Sequence, residues 1–138
     1  MNTERTGGCL CGAVRLRIAG EPYRVGLCHC LTCRRMTGSA FNAFAVFPAD
    51  KVTVTGETGV FASSDVGRRH FCRACGSPVF ERDVGSDEIE VPLGVLDEPD
   101  VLRPTYELWI GRREGWLPEI PGLIRYRGNR EGRSRTEP

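Results

Sequence analysis

Short runs of alternating apolar and polar residues dominate the chain. "AVRLRI" places Val14, Leu16 and Ile18 on one face and Arg15 and Arg17 on the other, the two-residue period of a half-buried strand. "KVTVTG" alternates in the same way and stops at Gly56, while "FNAFAVF" is aromatic-rich and ends at Pro48. "VFAS", "PVFER", "IEVPLGVL" and "YELWI" are further short strand candidates, separated by Gly, Pro, Asp and Ser. No segment sustains a long helical period. One short helix is predicted around Thr32 to Met36, stopped by Gly38, and a helical turn over "LDEPDVLRP". The pattern predicts a mainly β fold: a small single domain of short, coiled antiparallel sheets over residues 1–127. The polar run "RGNREGRSRTEP" has no apolar anchor, so residues 128–138 are expected to form a disordered tail.

Composition narrows the picture. At 138 residues and 40% hydrophobic, the chain is long enough for one globular domain. A formal net charge of +1 and the lack of a basic, aromatic stripe argue against a nucleic-acid partner. No apolar run approaches the ~20 residues of a membrane helix, and "MNTERTGGCLCG" lacks the basic and apolar regions of a secretory signal. The expectation is a cytoplasmic protein with no membrane partner.

That setting changes the meaning of seven cysteines. In a reducing compartment, clustered cysteines serve as ligands or catalysts more often than as disulfides. They fall into three groups: Cys9 and Cys11; Cys28, Cys30 and Cys33; Cys72 and Cys75. "FCRACGSPVF" has the zinc-knuckle pattern, in which a two-residue gap lets both thiolates face one metal and Gly76 takes the positive φ that follows. In an extended "GGCLCGAV", residues two apart point the same way, so Cys9 and Cys11 can share an ion. Together the two pairs are expected to make a structural zinc site with four thiolate ligands, which would compensate for a thin core, the ordinary alternative being that one pair is only buried free thiols.

"LCHCLTCRRMTG" then holds three thiolates and no fourth cysteine. Two readings stand. It is an open zinc site whose fourth position takes water or substrate, or it is a second closed site completed by His29 or His70. His29 lies between two ligands, and its side chain is expected to point away from their metal. An open zinc with three thiolates is a weak Lewis acid, because the ligands outweigh the ion's charge. A substrate thiolate is its natural fourth ligand, which favours making or breaking a carbon–sulfur bond over hydrolysis. Arg34, Arg35, Arg68, Arg69 and Arg73 flank the motifs and can pair with substrate carboxylates, although solvated surface arginines are the ordinary alternative. Thr37, Ser39 and Asn42 are either hydrogen-bond donors near the site or turn residues.

"GGCLCGAVRLRI", "CHCLTCRRMTGSAF" and "FCRACGSPVF", in this order and spacing, resemble the glutathione-dependent formaldehyde-activating enzyme family, which includes centromere protein V. "VPLGVLDEPDVLRPTYELWIGRREGW" resembles its C-terminal portion. The resemblance implies two zinc ions per chain: a structural one on Cys9, Cys11, Cys72 and Cys75, and a second on Cys28, Cys30 and Cys33, open to a thiol. It implies a carbon–sulfur lyase that forms or cleaves S-hydroxymethylglutathione, with glutathione as the small thiol. The family often has His where "YELWI" places Glu107. The competing function is a non-catalytic zinc module for structure or protein binding.

Overall fold

The computed structural model describes residues 3–132 and 134–137. The chain forms β1 (Glu4–Gly8), β2 (Arg15–Ala19), β3 (Arg24–Cys28), the helix α1 (Leu31–Thr37), β4 (Asn42–Pro48), β5 (Val52–Thr55) and β6 (Thr58–Ala62). It continues through β7 (Arg68–Cys72), β8 (Pro78–Glu81), β9 (Glu88–Pro92), β10 (Tyr106–Leu108) and β11 (Ile124–Arg125). These strands make a three-stranded sheet, β1-β2-β5, and an eight-stranded sheet, β11-β10-β3-β4-β9-β8-β7-β6. The mainly β, single-domain expectation agrees with this architecture.

The sheets are not wholly antiparallel, which corrects the expectation: β10 runs parallel to both β3 and β11. The reason is topological. No hairpin joins β10 to its neighbours, so antiparallel geometry is not imposed on it. The helical turn expected over "LDEPDVLRP" also differs. A 3-10 turn forms earlier, at Leu93–Val95. Leu96 instead bridges to Gly7, and Asp100 adopts a left-handed φ of 60°, which interrupts any helix there.

Alternation explains the layering. Val14, Leu16 and Ile18 turn inward from the small sheet onto Ala45, Phe47, Val79, Ile89 and Val91, one face of the large sheet. The opposite face carries a second apolar cluster of Phe44, Val46 and Tyr106 with Cys28 and Cys33. Because β4 is covered on both sides, its apolar residues run on without alternation. Gly26 serves this second face. A side chain there would place its Cβ 2.6 Å from Cζ of Tyr106, so only glycine lets the phenol ring lie on β3.

Among the described residues after 127, Asn129, Arg130, Arg135 and Glu137 make polar contacts. The indole N–H of Trp109 donates to Asn129 (3.0 Å), Arg135 reaches Asp87 (2.8 Å), and Arg24 donates to the Arg135 carbonyl (3.0 Å). Glu137 is nearly buried and accepts from both the Tyr126 hydroxyl and Arg130, each at 3.0 Å. Such contacts leave no trace in a hydropathy pattern. Among the described residues no helix is long and apolar enough to cross a membrane.

Candidate metal centres and the groove beside them

The fold gathers the cysteines into two clusters. The thiol sulfurs of Cys9, Cys11, Cys72 and Cys75 all lie within 4.8 Å of one another. Cys9 and Cys11 follow β1, and Cys72 ends β7, so the cluster joins the small sheet to the far end of the large one. The knuckle is built by the backbone: the Gly76 N–H donates to the Cys72 carbonyl (2.8 Å) and the Cys72 N–H to that of Ser77 (2.9 Å). Gly76 has φ +76°, the conformation its place after the second cysteine predicts.

This cluster fits a tetrahedral metal. The Cys9–Cys11 and Cys11–Cys72 sulfur separations are both 3.7 Å. Metal–sulfur bonds of ~2.3 Å in a tetrahedron give edges of ~3.8 Å. The Val14 N–H donates to the Cys9 sulfur at 3.2 Å and lowers the pKa of that thiol. The Ser77 hydroxyl and N–H bring Cys75 down to about 5. Crowding works the other way on Cys11: the Ala13 backbone favours its thiolate, but Cys9 and Cys72 outweigh it and push the thiol up to about 11. A shared cation removes that repulsion, so the donor set suits a divalent ion.

The second cluster brings together the sulfurs of Cys28, Cys30 and Cys33, again within 4.8 Å of one another. Cys28 ends β3, and Cys30 caps α1, its sulfur accepting the Cys33 N–H at 3.3 Å. Cys28 as neighbour, then burial, push the Cys33 thiol far up. Neither histidine joins the three sulfurs in a ligand group among the described residues. His70 accepts or donates at Nδ1 with the Thr58 hydroxyl (2.8 Å) and stacks on Phe80. His29 turns away, as expected, and its Nε2 lies 2.7 Å from Glu107.

Glu107 is the residue that pattern reading undervalued. It sits 1% exposed on β10, beside a fully buried His29. Arg113 binds the same carboxylate through Nε at 2.9 Å, and Arg125 approaches its other oxygen at 3.4 Å. Burial pushes the Glu107 carboxyl up, but the hydrogen bonds from Arg113 and His29 outweigh it and hold the group below its usual range. Burial likewise keeps His29 below its usual value, against the pull of Glu107. The pair is therefore a neutral imidazole donating Nε2–H to a carboxylate. His29 is flanked by Cys28 and Cys30, so this bond fixes the loop that carries them. The one sequence signal is an acidic residue set between apolar neighbours in "YELWI".

The flanking arginines divide. Arg34 pairs with Glu114 and donates to the Arg112 carbonyl, Arg69 pairs with Glu81 at 3.1 Å, and Arg68 donates to loop carbonyls. Arg35 and Arg73 lack such partners in the ion pairs and side-chain hydrogen bonds seen among the described residues, and Arg73 is exposed. Thr37 donates to the Cys33 carbonyl (2.8 Å) inside its own helix, Ser39 is exposed, and Asn42 is buried opposite Cys28. Arg34 and Thr37 thus serve the helix that carries Cys33, while Arg68 serves the loop before β7 and Arg69 a pair across β7 and β8.

A fold of two sheets with one four-thiol and one three-thiol cluster defines a class of cysteine-rich β proteins suited to metal. Residues 4–112 match the family described as glutathione-dependent formaldehyde-activating enzyme, and the chain belongs to that family. It is 32% identical over 122 residues to a Halomonas elongata protein named "Putative glutathione-dependent formaldehyde-activating enzyme", covering 80% of this chain and 78% of that one. It is 36% identical over 77 residues to an uncharacterized lyase of Schizosaccharomyces pombe, covering 56% of each. The fold resembles the crystal structure of a Rhodobacter sphaeroides protein, with a TM-score of 0.56 at 21% identity over 88% of this chain and 98% of that chain.

Proposed function

We propose that the protein is a zinc-dependent carbon–sulfur lyase that adds a small thiol to an aldehyde, or reverses that addition, with glutathione and formaldehyde as the pair its family name suggests. The observation that carries this reading is the three-thiol cluster, which has no fourth ligand among the described residues. In this reading Cys9, Cys11, Cys72 and Cys75 hold a structural zinc, and Cys28, Cys30 and Cys33 hold a second one. Bound there, the second ion would supply a thiophilic Lewis acid with one position free for substrate.

The chain's own residues do the rest. Glu107, through His29, holds the loop bearing Cys28 and Cys30 in one orientation. Arg34, pinned to Glu114, fixes the helix that carries Cys33. The apolar cluster of Phe44, Val46 and Tyr106 keeps water from the floor beside the thiols. In the forward direction the thiol gives up its proton, its sulfur bonds to the carbonyl carbon, and the carbonyl oxygen takes a proton to become a hydroxyl. The reverse direction breaks that carbon–sulfur bond and returns both protons.

The test uses purified protein loaded with cobalt in place of zinc. Added thiol should change the visible spectrum, and the zinc form should speed the reaction of that thiol with formaldehyde. Cys30→Ser should lose both effects and keep the fold. Indifference of the spectrum and the rate to every thiol tried would overturn the enzymatic reading in favour of a structural zinc module.

A further inference from the structure

Asn42, the first residue of β4, stands opposite Cys28 in the antiparallel pair of β3 and β4. Side chains directly opposite in such a pair lie on one face, with Cβ atoms ~4.5–5.5 Å apart. The carboxamide of Asn42 is therefore a neighbour of one of the three thiols. It is 5% exposed, yet among the described residues it makes no side-chain hydrogen bond. A buried amide without a partner is costly, and the positions that follow on β4 are filled by Phe44, Ala45, Val46 and Phe47 instead.

Asn42 lines a cleft between α1 and the large sheet. Met36 and Thr37 border it from α1, and Arg69, Glu81 and Glu90 from β7, β8 and β9. Its free volume is about 20 Å³, room for one water-sized group. The other polar side chains named here are already engaged. The Thr37 hydroxyl donates to the Cys33 carbonyl at 2.8 Å, and Arg69 pairs with Glu81 at 3.1 Å. Burial, then Glu81, hold the Glu90 carboxyl well above its usual range, so it keeps its proton and hydrogen-bonds to Glu81. The two carboxyls carry one negative charge between them, and the Arg69 guanidinium matches it. Arg69 also lies near the thiols: Cys28 as neighbour, then burial, raise the Cys33 thiol, and the Arg69 charge opposes them. The cleft is thus a small, charge-balanced recess beside the sulfurs, with one amide left over.

We propose that Asn42 is an oxyanion donor, its side-chain NH2 holding the aldehyde oxygen while the thiolate sulfur adds to the carbonyl carbon. The inference rests on the thiol reading of the three-cysteine cluster and deepens it. The thiol loses its proton on binding. Its sulfur electron pair forms the carbon–sulfur bond, the π pair of the carbonyl moves onto oxygen, and the alkoxide so formed takes a proton from water. Charge develops on that oxygen, and a donor fixed in advance in a nearly dry recess stabilises it more than water does. The carboxamide breaks no hydrogen bond to do this. It can turn either its oxygen or its NH2 to the cleft, and an alkoxide selects the NH2.

The test uses the full chain, loaded with zinc for rates and with cobalt for thiol binding, with glutathione and formaldehyde as the reactants. Asn42→Leu keeps the size of the side chain and removes the amide. It should melt no lower than wild type, bind glutathione within about twofold of wild type, and lose about 10²–10³-fold in catalysed rate, the cost of one oxyanion donor. Asn42→Asp, with a carboxylate in place of the NH2, should lose at least as much. In the wild-type zinc protein, the side-chain amide resonance of Asn42 should move when formaldehyde is added to protein already saturated with glutathione. A cobalt spectrum indifferent to glutathione, or a wild-type rate no faster than the uncatalysed one, would sink the lyase reading and this inference with it. With both intact, an Asn42→Leu rate within about twofold of wild type would overturn this inference alone. Parallel loss of thiol binding and rate would make Asn42 a support of the cluster and also overturn it. An amide resonance unmoved by formaldehyde would do the same, and that arm stands even if the variants do not fold.

Discussion

The two cysteine clusters are built from the same side chain and held in opposite ways. The four-thiol cluster joins segments from opposite ends of the fold, Cys9 and Cys11 after β1 and Cys72 and Cys75 around the end of β7, and Cys11 is exposed. Few hydrogen bonds link these segments among the described residues: the Leu10 N–H donates to the Ser77 hydroxyl at 3.1 Å and the Cys11 backbone to the Cys75 sulfur, beside the apolar core that Cys9, Cys72 and Cys75 share. The three-thiol cluster comes from one short loop and the start of α1, and that loop is fixed by the His29–Glu107 bond and the arginines behind it. An ion in the first cluster replaces protein contacts. An ion in the second adds to a loop that protein contacts already hold. The lesson is that the first should govern whether the chain folds, and the second what it does.

The sharpest way to break this contrast is to remove one thiol from each cluster. Structural zinc supplies ~10–16 kcal/mol of apparent folding energy, as much as the whole stability of a typical domain. Cys72→Ser should therefore leave the chain largely unfolded by circular dichroism and release metal from both sites. Cys30→Ser should lose one metal equivalent by elemental analysis and keep a cooperative melt. Equal unfolding of the two variants would erase the distinction.

The next test removes the protein's substitute for metal. Glu107→Ala leaves His29 and Arg113 without their buried acceptor, a loss of ~3–5 kcal/mol. Calorimetry should show a fall in melting temperature of about 10 °C or more. The metal content of the four-thiol cluster should be unchanged in the protein that remains folded. An unaltered melt would mean that the loop is held by something else.

A smaller effect is expected from Gly26→Ala. The new methyl meets the Tyr106 ring, and overpacking of this kind costs ~1–3 kcal/mol. The damage should stay on the three-thiol face, so thiol binding should weaken while the four-thiol cluster keeps its ion under chelator challenge. The smallest effect belongs to Asp97, which binds Arg15 and the Thr6 hydroxyl at the surface. Arg15, then Thr6, hold its pKa below the ordinary 3.8. Its contribution is thus present above that value and lost as the pH falls through the lower folded one. Asp97→Asn should shift the melt only marginally at neutral pH, and the two proteins should converge in acid.

Strands with one wet face could be read directly: Val14, Leu16 and Ile18 alternate with arginines because the small sheet has water on one side. Others could not. The residues of β3 are buried from Val25 to Cys28, so the chain shows no period there. The "RRHFC" of β7 is polar enough to pass for a loop. The cysteine spacings revealed both clusters because ligand geometry is local or pairwise. The role of Glu107 stayed hidden, since its partners His29, Arg113 and Arg125 come from three separate segments. So did the parallel pairing of β10, which depends on where a long excursion returns.

That parallel pairing sets an order of events during synthesis. All seven cysteines have been made once Cys75 is complete, so a nascent chain can close the four-thiol cluster early. Tyr106 to Leu108 must still travel back to pair with β3, from about 80 residues downstream. Closing so long a loop is entropically costly, and an earlier link between Cys9 and Cys75 shortens the connecting path to about 50 residues. Until Glu107 arrives, His29 has no buried carboxylate to bond, and the loop between Cys28 and Cys33 is free to move. A ribosome-bound chain ending near residue 95 would carry all seven cysteines yet lack the strand that sets the direction of three of them, so the two clusters mature at different times.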